Sequence, residues 1–127
     1  MSRPWLLFAC LALVASQQVF DLSSAPNVQC RPDEAIILTI ASNGTTGRLW
    51  ELQPFAGAPF EVVGDPKGIY VPGSSGAIGA PGRQQFTIHC FSAAQPRTIS
   101  NFVLSRSTPD GTSLEQMLVL LSVVDSN

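Results

Sequence analysis

Histidine, cysteine and charge are all scarce in this chain. Its 127 residues hold one histidine, three cysteines and only 13% Asp, Glu, Lys and Arg. A lone histidine, His89, removes most general-base chemistry at once. It adjoins Cys90, and successive side chains on a strand point to opposite faces, so these two do not form a thiolate–imidazole pair. Cys30 with His89 is the one nucleophile arrangement left. A structural cysteine and a surface histidine account for both residues more simply. No close Cys/His spacing supplies a metal-ligand set. No Gly-Lys-Ser/Thr closes the glycine-rich stretch 72–82, so it is not a phosphate loop. A net charge of −2 gives no field to draw nucleic acid or an anionic membrane. Repeats and charge runs are absent too. The chain reads as a binding protein rather than an enzyme, with no cofactor and no metal.

What is present starts with an address. Residues 1–16 read as a secretory signal peptide. Arg3 supplies the positive end, 5–14 is a continuous apolar run too short to span a bilayer, and Val14-Ala15-Ser16 offers small residues for cleavage before Gln17. The expected location is the secretory pathway, with the protein outside the cell or in an endosomal or lysosomal vesicle. No membrane segment remains after cleavage. Cys10 leaves with the leader. Cys30 and Cys90 then form an even pair in alternating apolar segments, open to one disulfide or to two buried thiols.

The rest is a series of short strands punctuated by turns. Residues 17–27 are polar and contain proline, as a flexible N-terminal arm or a first edge strand would be. Val28 to Cys30 starts a strand, and 31–34 is a turn. The run 35–40 is β-branched and apolar, and 48–53, 60–63 and 69–71 follow as shorter strands. In 85–91, Phe86, Ile88 and Cys90 share one face, Thr87 and His89 the other. The run 98–105 predicts a strand with an irregularity, because the apolar spacing breaks between Ile99 and Phe102. A polar loop covers 106–113. In 114–124, Leu114, Met117, Leu118 and Leu121 have helical spacing, while Met117, Val119, Leu121 and Val123 alternate. The β-branched end and the all-β context favour a strand. The whole predicts one antiparallel β-sandwich domain over 28–127, expected as a monomer.

One stretch stands out: Asn43-Gly44-Thr45-Thr46-Gly47-Arg48-Leu49-Trp50. A turn-prone Asn-Gly pair and a second glycine present Thr45 and Thr46 on a structured loop, and Trp50 then enters a core. The string resembles the Asn-Pro-Thr-Thr-Gly-aromatic-x-Trp loop of the chagasin family, inhibitors of papain-like cysteine proteases. Gly44 stands for the proline and Arg48 for the aromatic residue. The family's second loop carries Gly-x-Gly-Gly before an alternating strand; Gly79-Ala80-Pro81-Gly82 lies here before Phe86, with Pro81 replacing a glycine. Its third loop carries Arg-Pro-Trp; here Arg106 survives, followed by Ser107 and Thr108. The similarity runs over about 28–124.

The resemblance implies an immunoglobulin-like sandwich that reversibly plugs the active-site cleft of a papain-like, cathepsin-type cysteine protease with three neighbouring loops. Such a plug needs no reaction. It needs loops held in shape before binding, because ordering them on contact weakens affinity. Gly44 in place of proline implies a looser first loop, by roughly 0.4–1 kcal/mol. The missing interface tryptophan implies a loss on the order of 2 kcal/mol, about thirtyfold in affinity. Gly44 also creates the sequon Asn43-Gly44-Thr45, so Asn43 is a candidate glycosylation site whose occupancy would block the plug. The competing account is a secreted immunoglobulin-like recognition module with no protease target, in which these loops are only connections.

Overall fold

The computed structural model describes residues 17–42, 48–73, 82–108 and 110–125. The expected signal peptide, the loop residues Asn43, Gly44, Thr45, Thr46 and Gly47, and Gly79, Ala80 and Pro81 lie outside them. Nine strands make up the described fold: β1 (Val19–Asp21), β2 (Asn27–Cys30), β3 (Ala35–Ser42), β4 (Glu51–Gln53), β5 (Phe60–Val63), β6 (Ile69–Val71), β7 (Gly82–Cys90), β8 (Ile99–Ser107) and β9 (Leu114–Val123). Among the described residues no helix is long and apolar enough to cross a membrane.

The strands form two sheets. One runs β1-β3-β7-β5, with β6 also on β7; the other runs β2-β9-β8-β4. Strict alternation builds the interior between them. Ile36, Leu38 and Ile40 of β3 and Phe86 and Ile88 of β7 face Phe102 and Leu104 of β8 and Val119 and Leu121 of β9, all at 2% exposure or less. Phe60 meets Phe102 edge-on across the gap, with ring centroids 5.1 Å apart, a favourable aromatic arrangement. Cys30 of β2 is joined to Cys90 of β7 by a disulfide that staples one sheet to the other. This is an immunoglobulin-like sandwich.

The structure differs from the local expectations in three places. Residues 17–27 take the edge-strand alternative rather than the loose arm. β1 pairs in parallel with β3, Leu22 is 2% exposed in the core, and the chain then crosses to the second sheet, where β2 pairs in parallel with β9. The sandwich is therefore antiparallel except at these two N-terminal edges. The irregularity expected in 98–105 is absent: β8 and β9 pair without a break from Ile99↔Ser122 to Ser107↔Leu114. Ile99 simply faces solvent at 71% exposure, so it never belonged to the inward set of Phe102 and Leu104. β4 is shorter than 48–53, and β7 starts three residues before Gln85, at Gly82. Of the two fates left open for Cys30 and Cys90, the structure has the disulfide, which also leaves no Cys30–His89 pair, in line with the structural role favoured for the cysteine.

Candidate functional site

The ladder places the roots of the three candidate loops at one end. Ser42, the last residue of β3, pairs with Gly82, the first of β7, so the entry to 43–47 lies beside the exit of 72–81. Val71, which ends β6, pairs with Arg83. On the other sheet, Ser107 pairs with Leu114 at the base of the turn 108–113, and Glu51 pairs with Ser105 close by. Arg48, on the chain leaving 43–47, donates its Nε–H to the Ser107 carbonyl at 2.7 Å.

At this end the inward face of the strands turns from apolar to polar. Gln84, fully buried, holds an inward position of β7 one step beyond Phe86. Its Oε1 accepts from the Trp50 N–H at 2.7 Å and the Ser42 hydroxyl at 2.9 Å. Its Nε2 donates to the carbonyls of Trp50 and Lys67, both at 2.8 Å. One amide thus fixes the last residue before 43–47, the chain just after it, and the turn 64–68. Trp50 is 6% exposed, a core residue as its place in the motif implied. The Arg106 guanidinium lies 4.3 Å from the centre of its ring, a cation–π stack.

Arg106 and Glu115 are direct cross-strand partners on β8 and β9. Arg106 donates to Glu115 Oε2 at 3.3 Å, and Arg48 donates to Oε1 of the same carboxylate. The Arg106 side chain is only 23% exposed. Its charge is held between the Trp50 ring and the Glu115 carboxylate. Ser107 is a strand residue, and Thr108 opens a tightly tied turn. The Thr108 hydroxyl donates to Asp110 Oδ1 at 2.7 Å, the Thr112 N–H and hydroxyl reach the same oxygen at 3.1 and 2.9 Å, and the Thr108 N–H bonds the Ser113 carbonyl at 2.9 Å. The bonds to Asp110, that of the Thr108 hydroxyl first and then those of Thr112, hold the pKa of its carboxyl down to about 2.

Gly82 belongs to the strand rather than to the loop before it. A Cβ there would stand 2.3 Å from the Val71 carbonyl oxygen and 2.7 Å from the Tyr70 hydroxyl. Only glycine lets β6 and its tyrosine pass this close. Gln84 and Glu115 were not singled out from the sequence. The signal for both is a polar residue on the core-facing alternation: Gln84 continues Phe86 and Ile88, and Glu115 continues Met117 and Val119.

The far end carries different groups. His89, on the outer face of β7, lies between Asp33 Oδ1 at 3.0 Å and Glu61 Oε2 at 3.2 Å. The carboxylates, Asp33 above all, raise its pKa from 6.5. Among the described residues no three His, Cys, Asp or Glu side chains gather as a metal site.

No protein-family model and no curated protein matches the chain. Solved structures do. Amebosin superposes with a TM-score of 0.57 at 16% identity, over 86% of this chain and 99% of its own. EhICP2, a cysteine protease inhibitor from Entamoeba histolytica, superposes at 0.56 with 13% identity, over 85% of this chain and 97% of its own. PbICP-C, solved in complex with falcipain-2, gives 0.47 at 15% identity, over 86% and 92%. At these identities the first two establish a shared fold.

Proposed function

We propose that this protein is a reversible inhibitor of papain-like cysteine proteases, and that 43–47, 79–82 and 106–108 with the turn beyond them form its wedge. The observation that carries the reading is the meeting of three sequence-distant loop roots at one end, cross-bonded through Gln84, Arg48 and Glu115. The fold is shared with EhICP2, a cysteine protease inhibitor. The Thr45-Thr46 string takes the argument from fold to function. In this reading Thr45 and Thr46 approach the catalytic thiol and are poor acyl donors. The backbone of 79–82 lies along the enzyme surface. Arg106 braces the wedge from beneath, and Ser107, Thr108 and the tied turn beyond form its third edge. No bond is made or broken, so the protein is not an enzyme, and neither cofactor nor metal enters.

The reading places the protein in the secretory pathway, outside the cell or in a vesicle where such proteases work, as a monomer with Asn43 unglycosylated. Titration of secreted protein against papain and a cathepsin-like protease tests it. Competitive, reversible inhibition is expected, abolished by Thr46→Asp and roughly thirtyfold weaker than that of relatives with the third-loop tryptophan. No inhibition at about 100 μM, or an intact mass carrying a glycan at Asn43, would sink it.

A further inference from the structure

We propose that Glu115 is a positioning residue for this wedge: one carboxylate locks the first and third loops together from behind. The inference rests on the inhibitor reading for its functional consequence, but its structural half stands apart from it. Glu115 is the second residue of β9 and points along the inward alternation, opposite Arg106. Its two oxygens serve two different segments. Oε1 accepts from Arg48, which follows the first loop, and Oε2 accepts from Arg106, which opens the third. Arg48 also bonds the Ser107 carbonyl, so the chain leaving the first loop is tied to both strands that carry the third. Arg106 in turn covers Trp50, two residues after Arg48. The Arg48 and Glu115 side chains are 19% and 37% exposed, so water screens this pairing less than an open surface bridge.

The chemistry makes Glu115 the member that cannot be neutral. Two guanidiniums share one carboxylate, and each charge-assisted bond is stronger than a neutral one. With an amide at 115, two like charges face a single carbonyl oxygen. Arg48 then loses one of the two anchors that connect it to β8 and β9. The chain at Arg48, where it leaves the first loop, is then held to Ser107 without its second tie to Glu115. A wedge built of separate loops depends on how they are spaced, because a misplaced edge must be re-ordered on binding.

The experiment uses the full protein with Glu115→Gln, Arg48→Lys and Glu115→Asp. Amide hydrogen exchange is read at Leu49, Trp50 and Thr108, against Leu38 and Leu121 as core references. Inhibition of a papain-like protease is read as association and dissociation rates. Glu115→Gln is expected to speed exchange at the three root amides about tenfold with the core references unchanged, and to weaken inhibition about tenfold, mainly through dissociation. Arg48→Lys, which keeps the charge but loses the Ser107 bond, is expected to share part of both effects, and Glu115→Asp to recover part of them. If Glu115→Gln leaves root exchange unchanged, or speeds core and root alike, the proposal is overturned. It is also overturned if the wild type inhibits and Glu115→Gln inhibits equally well. If the wild type inhibits nothing while root exchange still responds, the inhibitor reading falls and the lock between the loops stands.

Discussion

Gln84 concentrates more of the site than any other side chain described. It sits in the interior without exposure, yet all its polar atoms are used, on Ser42, Trp50 and Lys67. A buried amide of this kind is costly only when its partners are lost. Gln84→Leu keeps the volume and removes every one of those bonds. It leaves the Trp50 N–H and the carbonyls of Trp50 and Lys67 facing an apolar side chain. At about 1–3 kcal/mol for each stranded group, and with some reached by water, a loss of roughly 3 kcal/mol is expected. Urea unfolding measures it as a lower midpoint at unchanged slope. A loss below about 1 kcal/mol would show that these groups find other partners and that Gln84 is not the pin. Trp50 Nε1 illustrates the converse: it is buried with no acceptor among the described residues, while its ring packs in the core and under Arg106.

His89 acts between elements. Its ring bridges Asp33, in the turn after β2, and Glu61, on β5, while its backbone pairs with Ala35 of β3. Asp33 adopts a φ of 66°, a left-handed conformation that the ring contact helps to hold. Both carboxylates favour the protonated ring, Asp33 more strongly, so the folded pKa lies above 6.5. The stabilisation is therefore complete below about pH 6.5 and is lost as pH rises through the folded value. The thermal midpoint of the wild type should exceed that of His89→Gln at about pH 6, and the gap should close by about pH 8.5. A gap independent of pH would mean that the ring contributes by packing alone. The strands that frame this contact were legible because alternation repeats over several residues in β3, β7 and β9. In β9 helical spacing competed, and Val119, Leu121 and Val123 decided it by facing a core that only a strand reaches. β1 was only half legible: an edge strand was one of two readings of 17–27, and three residues with one inward side chain carry no period to choose it. The site was half legible. The Thr-Thr string and the glycines are local signals, but Gln84 and Glu115 became meaningful only when pairing placed them opposite Ile40 and Arg106.

At the scale of the molecule, the disulfide and the proposed wedge lie at opposite ends. β7 spans the sandwich from Gly82, beside the loop roots, to Cys90, in the disulfide, about 26 Å at ordinary strand rise. Its partner Cys30 pairs with Val123 at the far end of β9, whose near end holds Glu115. The bridge closes a sequence separation of 60 residues. In the chain-entropy account a loop of that length stabilises the fold by about 4 kcal/mol, chiefly by restricting the unfolded chain. Among the described residues, none of the bonds described for Gln84, Arg48 or Glu115 involves Cys30 or Cys90. Replacing both cysteines by alanine should therefore lower unfolding free energy by roughly 2–5 kcal/mol. At a temperature where the variant is still folded, its inhibition constant should stay within about threefold of the wild type, because the loop roots are pinned locally. The first quantity comes from denaturant unfolding and the second from protease titration. Inhibition lost in step with stability would mean that the wedge is held by the whole sandwich rather than by the polar cluster at its own end.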